Sequence, residues 1–420
     1  MKVVGIIAEY NPFHNGHLWH LEQARKMSGH QAVVAVMSGN FVQRGEPALL
    51  DKWARAQMAV RAGVDLVLEL PTVFAVRSAE NFAAAGIRLL SSLGVVDTVS
   101  FGAEHPEVAA LTTWAKSIDN QQTVGLLKQG LDAGELYAAA LGKALIKQTG
   151  LKPEIINAPN NILAVEYIRA IARFAPSLKP VPVFRREAAY HDTTVEGTIA
   201  SATAIRQELQ SSPSGAIHAY QALPAASASI LEATIRDGRG PVFYRDFEQM
   251  VLSRLRTSLL ADLEQLPDVS EGLHYKIKYS ALQATTLEEL FEQSKSKRYS
   301  RTRLQRIVIH ALLGSRKDQI RFFDDTGPRY ARVLAFNDCG RTLLRQIRST
   351  AAIPVITKTT QYLNSASRDA KPLSGLEAML AVDTLATDLY VLARPNPKWR
   401  RGGLDFCTSP QYLSSQPTSV

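Results

Sequence analysis

The sequence predicts an α/β protein in which a parallel sheet is wound with helices on both faces, followed by a mainly helical C-terminal region. Two observations carry this. Residues 3–8 and 32–37 are continuous apolar runs bounded by polar residues, the mark of strands buried on both faces. Segments of helical period separate these runs, so strand and helix alternate, and the crossovers should be right-handed.

The remaining elements follow in order. Residues 17–27 read as a helix with Leu18, Leu21 and Ala24 on one face and Glu22, Arg25 and Lys26 elsewhere. Residues 53–62 are helical, and 64–70 form a third strand closed by Pro71. A helix over 82–93 leads to a fourth strand over 95–101 that ends at Gly102. Further helices are expected at 107–116, 126–149 and 161–174; in the last, Ile162, Val165, Ile168 and Ala172 recur three or four apart. A short strand at 180–184 precedes a helix over 201–210 capped by Ser201 or Thr203. Ser-Ser-Pro-Ser-Gly at 211–215 marks a boundary. Beyond it, helices are expected at 247–266, 287–293, 301–313 and 376–392, with short strands at 333–336 and 354–356. The expected organisation is therefore a first domain over 1–212, a helical region over 213–394, and a loosely ordered tail over 395–420 rich in Pro, Ser, Gly and Arg.

Composition narrows the class. A chain of 420 residues, 46% hydrophobic and 21% charged, is globular and long enough for two or three domains. Its formal net charge of +9 points to an anionic partner. The two cysteines, Cys339 and Cys407, have no metal-ligand spacing and form no disulfide framework, which suits a reducing compartment. The first apolar run is too short for a leader or a membrane span, and no later run reaches bilayer length. A cytoplasmic protein with no membrane partner is expected, while the sequence carries no signal for oligomeric state.

The chemistry concentrates after the first strand, in Ile7-Ala8-Glu9-Tyr10-Asn11-Pro12-Phe13-His14-Asn15-Gly16-His17. A buried strand, a tight turn, His-x-Gly-His and then a helix place two imidazoles and a glycine at a helix N-terminus. Free backbone N–H groups and the helix dipole there favour an anion, and Gly16 would let the backbone approach a nucleotide. His14 and His17 can donate to phosphate oxygens and to charge developing at an attacked α-phosphate.

This segment resembles the nucleotidyltransferase superfamily with the His-x-Gly-His signature, which implies a Rossmann-like nucleotidyltransferase domain. A closer resemblance, to the bacterial tRNA(Met) cytidine acetate ligases, rests on further stretches. They are residues 5–17, Met37 to Pro47 with Asp51, Lys52 and Arg55, Gly63 to Pro71, Phe101-Gly102-Ala103-Glu104, Pro159 to Leu163, Tyr190-His191-Asp192 and Ser201 to Arg206. The C-terminal half is similar more loosely, through Lys297-Arg298-Tyr299 and Phe336 to Arg341. The resemblance implies that acetate attacks the α-phosphate of ATP, giving acetyl-adenylate and pyrophosphate. The wobble cytidine of elongator tRNA(Met) then takes the acetyl group, yielding N4-acetylcytidine and AMP. ATP chemistry implies Mg²⁺ as well, although no metal-ligand motif stands in the chain. The alternative is an adenylyltransferase acting on a small phosphorylated metabolite without RNA; the basic C-terminal half argues against it.

With that resemblance, His14 and His17 are the expected catalytic residues. Residues Ile7 to His17 with Leu18 and His20 should wrap ATP, and Gly102 should clear space for it at the end of the fourth strand. Asn161 caps its helix or meets the adenosine, with Asn160 an equal candidate. One of Arg185 and Arg186 should meet the nucleotide, and Ser201, Thr203 and Arg206 suit the β- and γ-phosphates. Gln43-Arg44-Gly45, Lys52 and Arg55 add positive charge for phosphate or RNA. Lys295, Lys297, Arg298, Arg301, Arg303 and Arg306 form a basic run around Tyr299, which could stack on an unpaired base. Lys297, Arg298, Arg301 and Arg303 are the expected tRNA contacts. Lys398-Trp399-Arg400-Arg401 is a second basic cluster, and His191 and Asp192 are candidates for a general base.

Overall fold

The apolar runs form the centre of one sheet. β1 (Val3–Ala8), β2 (Ala32–Ser38), β3 (Leu66–Leu70), β4 (Thr98–Ala103) and β5 (Lys179–Phe184) are all parallel, in the order β5-β4-β1-β2-β3. The computed structural model describes residues 1–185, 199–212, 216–296, 298–370 and 372–414. Every residue of β2 is buried, as a strand covered by helices on both faces requires. Alternate residues of the strands feed two cores. Val3, Ile7, Val34 and Leu68 face one, with the Ala79–Ser92 and Pro159–Phe174 helices. Val4, Ile6, Val33 and Val67 face the other, with α1 (Asn15–Ser28) and α2 (Lys52–Arg61). The Ala79–Ser92 helix comes very close to β1 because two glycines leave room. A Cβ on Gly5 would lie 2.7 Å from Leu90 Cδ1, and one on Gly86 would lie 2.6 Å from Ile7 Cδ1.

Several elements depart from the sequence reading, each for a local reason. The helix expected over 126–149 is a hairpin, Gln121–Asp132 and Tyr137–Thr149, broken where Gly134 takes φ +82°. The helix expected over 247–266 breaks at Ser258 into Glu248–Thr257 and Leu260–Glu264. On the Pro159–Phe174 helix, Asn161, Ala164, Val165, Ile168 and Ile171 make the buried face, while Ile162 turns outward.

The C-terminal region is helical but not separate from the sheet. β6 (Ala331–Phe336) pairs antiparallel with β3, and β7 (Val355–Ile356) and β8 (Gln411–Tyr412) both pair with β6. The tail expected to be loose is packed through residue 412 for an electrostatic reason. Lys52 is fully buried, and its Nζ lies 2.8 Å from both Glu69 Oε1 and Asp405 Oδ1. Arg332, also buried, reaches Glu69 at 3.2 Å and Asp405 at 2.5 Å. Two cations and two carboxylates thus neutralise one another inside the protein, and Asp405 on the Leu404–Cys407 helix supplies one of the four charges. Among the described residues, no helix is long and apolar enough to cross a membrane.

Asp405→Ala leaves Lys52 and Arg332 one carboxylate short. It should cost about 3–5 kcal/mol, the usual penalty for breaking a buried pair from one side. Urea unfolding of the variant against the parent measures this.

Candidate active site

β2 lies on one side of β1 and β4 on the other, so the strand order reverses between β1 and β4. The carboxyl ends of strands at such a reversal are where open α/β sheets bind ligands. A cavity of about 720 Å³ opens there. Behind the lining residue Glu9 lies Arg55, wholly buried, whose guanidinium donates to Glu9 O at 2.5 Å, to Ser38 O at 2.9 Å and to Gly39 O. One cation therefore ties together the carbonyl ends of β1 and β2. Lys52 and Arg55, expected to offer charge to phosphate or RNA, are instead internal counter-charges and clamps.

The two histidines cap α1 reciprocally. His14 Nδ1 accepts from the Gly16 N–H at 3.0 Å, and His17 Nδ1 accepts from the His14 N–H at 3.2 Å. Their rings stack with centroids 3.8 Å apart. A neutral imidazole whose Nδ1 accepts must carry its proton on Nε2, so both rings are Nε2–H donors. Burial, reinforced by the charges of Arg185 and Arg206, pushes His14 down to about 3. Burial also holds His17 well below its usual range, with His14 and Arg185 adding to the effect. His20 meets Ser100 Oγ at 3.1 Å and is pushed down to about 4 by burial and Arg185. Three uncharged imidazoles thus line one cavity.

This cap changes what α1 offers a ligand. The Asn15 N–H is spent on Ala222 O at 2.9 Å, the Gly16 N–H on His14, and the His17 N–H on His14 O at 2.9 Å. The free first-turn N–H groups expected from the sequence are therefore engaged, and the ring Nε2–H groups stand in their place. Gly16 also has a different task from the expected one. A Cβ there would lie 2.8 Å from His14 Cε1, so glycine clears space for the ring.

Arg185 forms the opposite wall. Its side chain crosses Gly102, where a Cβ would lie 2.8 Å from Arg185 Cγ, and its guanidinium donates to Asn160 Oδ1. Asn160 is oriented by Glu104, which accepts from Asn160 Nδ2 at 2.6 Å and from the Asn161 N–H at 3.0 Å, capping the Pro159–Phe174 helix. Burial lowers Arg185 to about 10, against the opposing pull of Glu104. Asn160 lines the cavity, whereas Asn161 lies behind the wall, its amide engaged with Ile155 O and the His105 N–H. Arg186 falls outside the described residues, as do Tyr190, His191 and Asp192.

Of the other expected contacts, Ile7, Ala8, Glu9 and Tyr10 line the cavity. Tyr10, at φ +47°, packs its ring 4.8 Å from Phe13 and 5.0 Å from His17. Asn11, Pro12, Phe13, Asn15 and Leu18 support the turn from behind. Asn11 Oδ1 accepts from the Leu49 N–H, Asn15 Nδ2 donates to Gln221 O, and Phe13 and Leu18 pack into the core. Ser201 is the N-cap of the Ala202–Ser211 helix, accepting from the Ala204 N–H. Ser201, Thr203 and Arg206 reach the cavity, and Arg206 donates to Asn11 O at 3.0 Å.

Among the lining residues, Thr302 carries no signal of its own in the sequence, and Arg306 stands out there only as a member of the basic run. Thr302 and Arg306 come from the Arg301–Leu313 helix of the C-terminal region. Gly45 is pressed against this helix so tightly that a Cβ would lie 2.3 Å from Arg306 N. The neighbouring Gln43, Arg44 and Glu46 complete that wall, and the Gln43 N–H donates to Glu9 Oε1 at 2.9 Å. Burial raises the Glu9 carboxyl, with Arg44 pulling the other way.

The basic run is largely occupied. Tyr299 is buried rather than free to stack, and its hydroxyl donates to Ser270 O at 3.1 Å. Arg303 lies over that ring and donates to Asp268 O. Arg301 grips Glu288 through both guanidinium nitrogens and lies over Phe291. Arg298 is exposed and pairs with Glu271 at 2.8 Å, and Lys297 falls outside the described residues.

The HIGH Nucleotidyl Transferase family profile matches residues 1–403. The chain is 42% identical over 416 residues to the tRNA(Met) cytidine acetate ligase of Acetivibrio thermocellus, covering 97% of this chain and 98% of that one. It is 42% identical over 400 residues to the enzyme of the same name from Caldanaerobacter subterraneus subsp. tengcongensis, covering 94% and 96%. The chain belongs to this family. The crystal structure of apo Thermotoga maritima TmcAL superposes with a TM-score of 0.91 at 34% identity, over 99% of this chain and all of that one. The same Thermotoga protein bound with alpha-thio ATP gives 0.89 at 33% identity, with equal coverage. The family fold therefore extends across both the sheet and the helical region.

The depressed histidines make stability depend on pH in a defined direction. His14 and His310 are almost fully buried, with His310 pushed down to about 4 mainly by burial. Below the ordinary histidine value of about 6.5, each binds a proton only when the chain unfolds. Stability should therefore fall between pH 6.5 and 4 by up to about 1.4 kcal/mol per pH unit for each residue. Urea unfolding at pH 7 and pH 5 measures the fall, and His310→Gln should flatten it.

Proposed function

We propose that this chain is an ATP-dependent ligase that activates acetate as acetyl-adenylate and passes the acetyl group to the wobble cytidine of elongator tRNA(Met). A carboxylate oxygen of acetate attacks the α-phosphorus of ATP, and the bond to the β-phosphate breaks to release pyrophosphate. The cytidine N4 then attacks the acetyl carbon, loses a proton, and expels AMP. The exocyclic amine of cytosine is a poor nucleophile, so the activation has to go into the carboxylate.

The observation that carries this reading is the pair of neutral imidazoles. Because His14 and His17 accept at Nδ1, each offers an Nε2–H to a phosphate oxygen without first taking up a proton. Arg185, Arg206 and the N-terminus of the Ala202–Ser211 helix supply the cationic and dipolar complement to a triphosphate. We assign Asn160 and Arg185 to the nucleotide side of the cavity, and Ser201, Thr203 and Arg206 to its phosphates. Mg²⁺ would accompany ATP. The cavity carboxylates Glu9 and Glu46 already accept from the Gln43 N–H and from Arg206, so phosphate oxygens and water would supply most of its ligands. We assign RNA contact to residues 213–394, with Lys295 and Arg298 the exposed members of the basic run among the described residues. A wobble base is unpaired in its loop and enters a pocket without melting a helix.

Incubating the protein with ATP, acetate and tRNA should yield N4-acetylcytidine on nucleoside analysis; its absence rejects the reading. His17→Ala should lower acetate-dependent pyrophosphate release by roughly 10²–10³-fold, the usual loss of one transition-state donor, while tRNA binding stays near that of the parent. Gly102→Ala should displace Arg185 and raise KM for ATP with little change in unfolding free energy. Since His14 and His17 are neutral in the free protein, kcat/KM should show no inflection near pH 6.5. An inflection there that disappears in His17→Ala would contradict the proposed donor state.

A further inference from the structure

The aromatic residue expected to stack on RNA, Tyr299, is buried, but the same region exposes two others. Tyr275 and Tyr279 stand 62% and 67% exposed on the Leu273–Gln283 helix, with Leu282 55% exposed on the same side. The helix is anchored beneath them by buried Leu273, His274, Ile277 and Ala281, and the Tyr275 ring rests 4.2 Å from that of His274. A tyrosine presented this openly by a well-buried helix is a rigid platform at little entropic cost.

Its electrostatic setting selects a partner. The helix contains Lys276 and Lys278 and no acidic residue. Lys276 Nζ donates to Lys295 O at 2.8 Å, Lys278 Nζ to Leu255 O and Ser258 O, and Arg256 to Ala281 O and Ala284 O. Among the described residues, the partners of these three cations are backbone carbonyls, so no carboxylate cancels their charge. An aromatic face rimmed by uncancelled cations complements a polyanion that carries flat, apolar rings. Side chains four apart on a helix sit roughly 6 Å apart, close to two stacking intervals of about 3.4 Å, so one unpaired base fits between the tyrosines.

The face also connects to the cavity. Lys276 touches Lys295, just beyond the Leu287–Ser294 helix, and Thr302 borders the cavity seven residues later, at most about 24 Å of extended chain away.

We infer that Tyr275 and Tyr279 form a stacking platform for unpaired bases beside the reactive cytidine, with Lys276, Lys278 and Arg256 facing the adjoining phosphates. This rests on the RNA-acetylating reading above. The test uses the full-length protein and an unmodified elongator tRNA(Met) transcript. The double variant Tyr275→Ala/Tyr279→Ala should raise Kd for the transcript about tenfold or more, as loss of base stacking does. Tyr275→Phe/Tyr279→Phe, which keeps both rings, should bind within about twofold of the parent. Acetate-dependent pyrophosphate release without tRNA should be unchanged in both. Parent-like binding by the alanine pair overturns the platform. A parent that sediments as a dimer and an alanine pair that sediments as a monomer would also overturn it, by giving the face to a second copy of the chain. A parent that binds the transcript no better than a duplex RNA of equal charge would instead sink the underlying reading.

Discussion

The site depends on one small interaction, the reciprocal cap in which His14 and His17 accept backbone N–H groups at the start of α1. That cap does two things with the same atoms. It satisfies donors that a helix N-terminus would otherwise leave open, and it forces both rings into a single neutral tautomer. Burial alone would discourage protonation, but it would not decide which nitrogen holds the remaining proton. The cap decides it. A structural device at the end of a helix thereby becomes a chemical one, and the arrangement is held further because the two rings stack on each other and His17 packs against Tyr10 and Phe13.

Around this turn, buried cations do the work of assembly. Arg55 gathers the carbonyl ends of two strands, and Lys52 and Arg332 share two carboxylates from distant parts of the chain. Buried ion pairs are often no better for stability than apolar packing. Here they serve position. The strand ends that Arg55 holds are those from which the cavity loops depart, and the Arg301–Leu313 helix closes the far wall against Gly45. The cavity is thus built jointly by the sheet and by the helical region.

The first four strands and the His-x-Gly-His turn were legible because a strand covered on both faces leaves an unbroken apolar run, and because an imidazole pair at a helix start is a distinctive chemical pattern. What sequence reading missed depends on contacts far apart in the chain. Nothing local in Asp405 says that it will neutralise Lys52, so the tail looked loose. Nothing near Tyr299 says that Ser270 will take its hydroxyl, so it looked free. Gly16 and Gly102 were correctly singled out as positions where a side chain would collide, but the colliding groups are His14 and Arg185. Asn160 and Asn161 were equal by sequence; the helical phase buries the second and leaves the first facing Arg185.

The lateness of Asp405 bears on how the protein is made. A ribosome delivers Lys52 and Arg332 long before the carboxylate both require, and β8, which extends the sheet at residues 411–412, emerges later still. The nascent chain therefore cannot settle its first strands into their final electrostatic environment while translation continues. The His-x-Gly-His turn is encoded within the first twenty residues, but the cavity beside it takes a wall from the Arg301–Leu313 helix and so is complete only once most of the chain has been made.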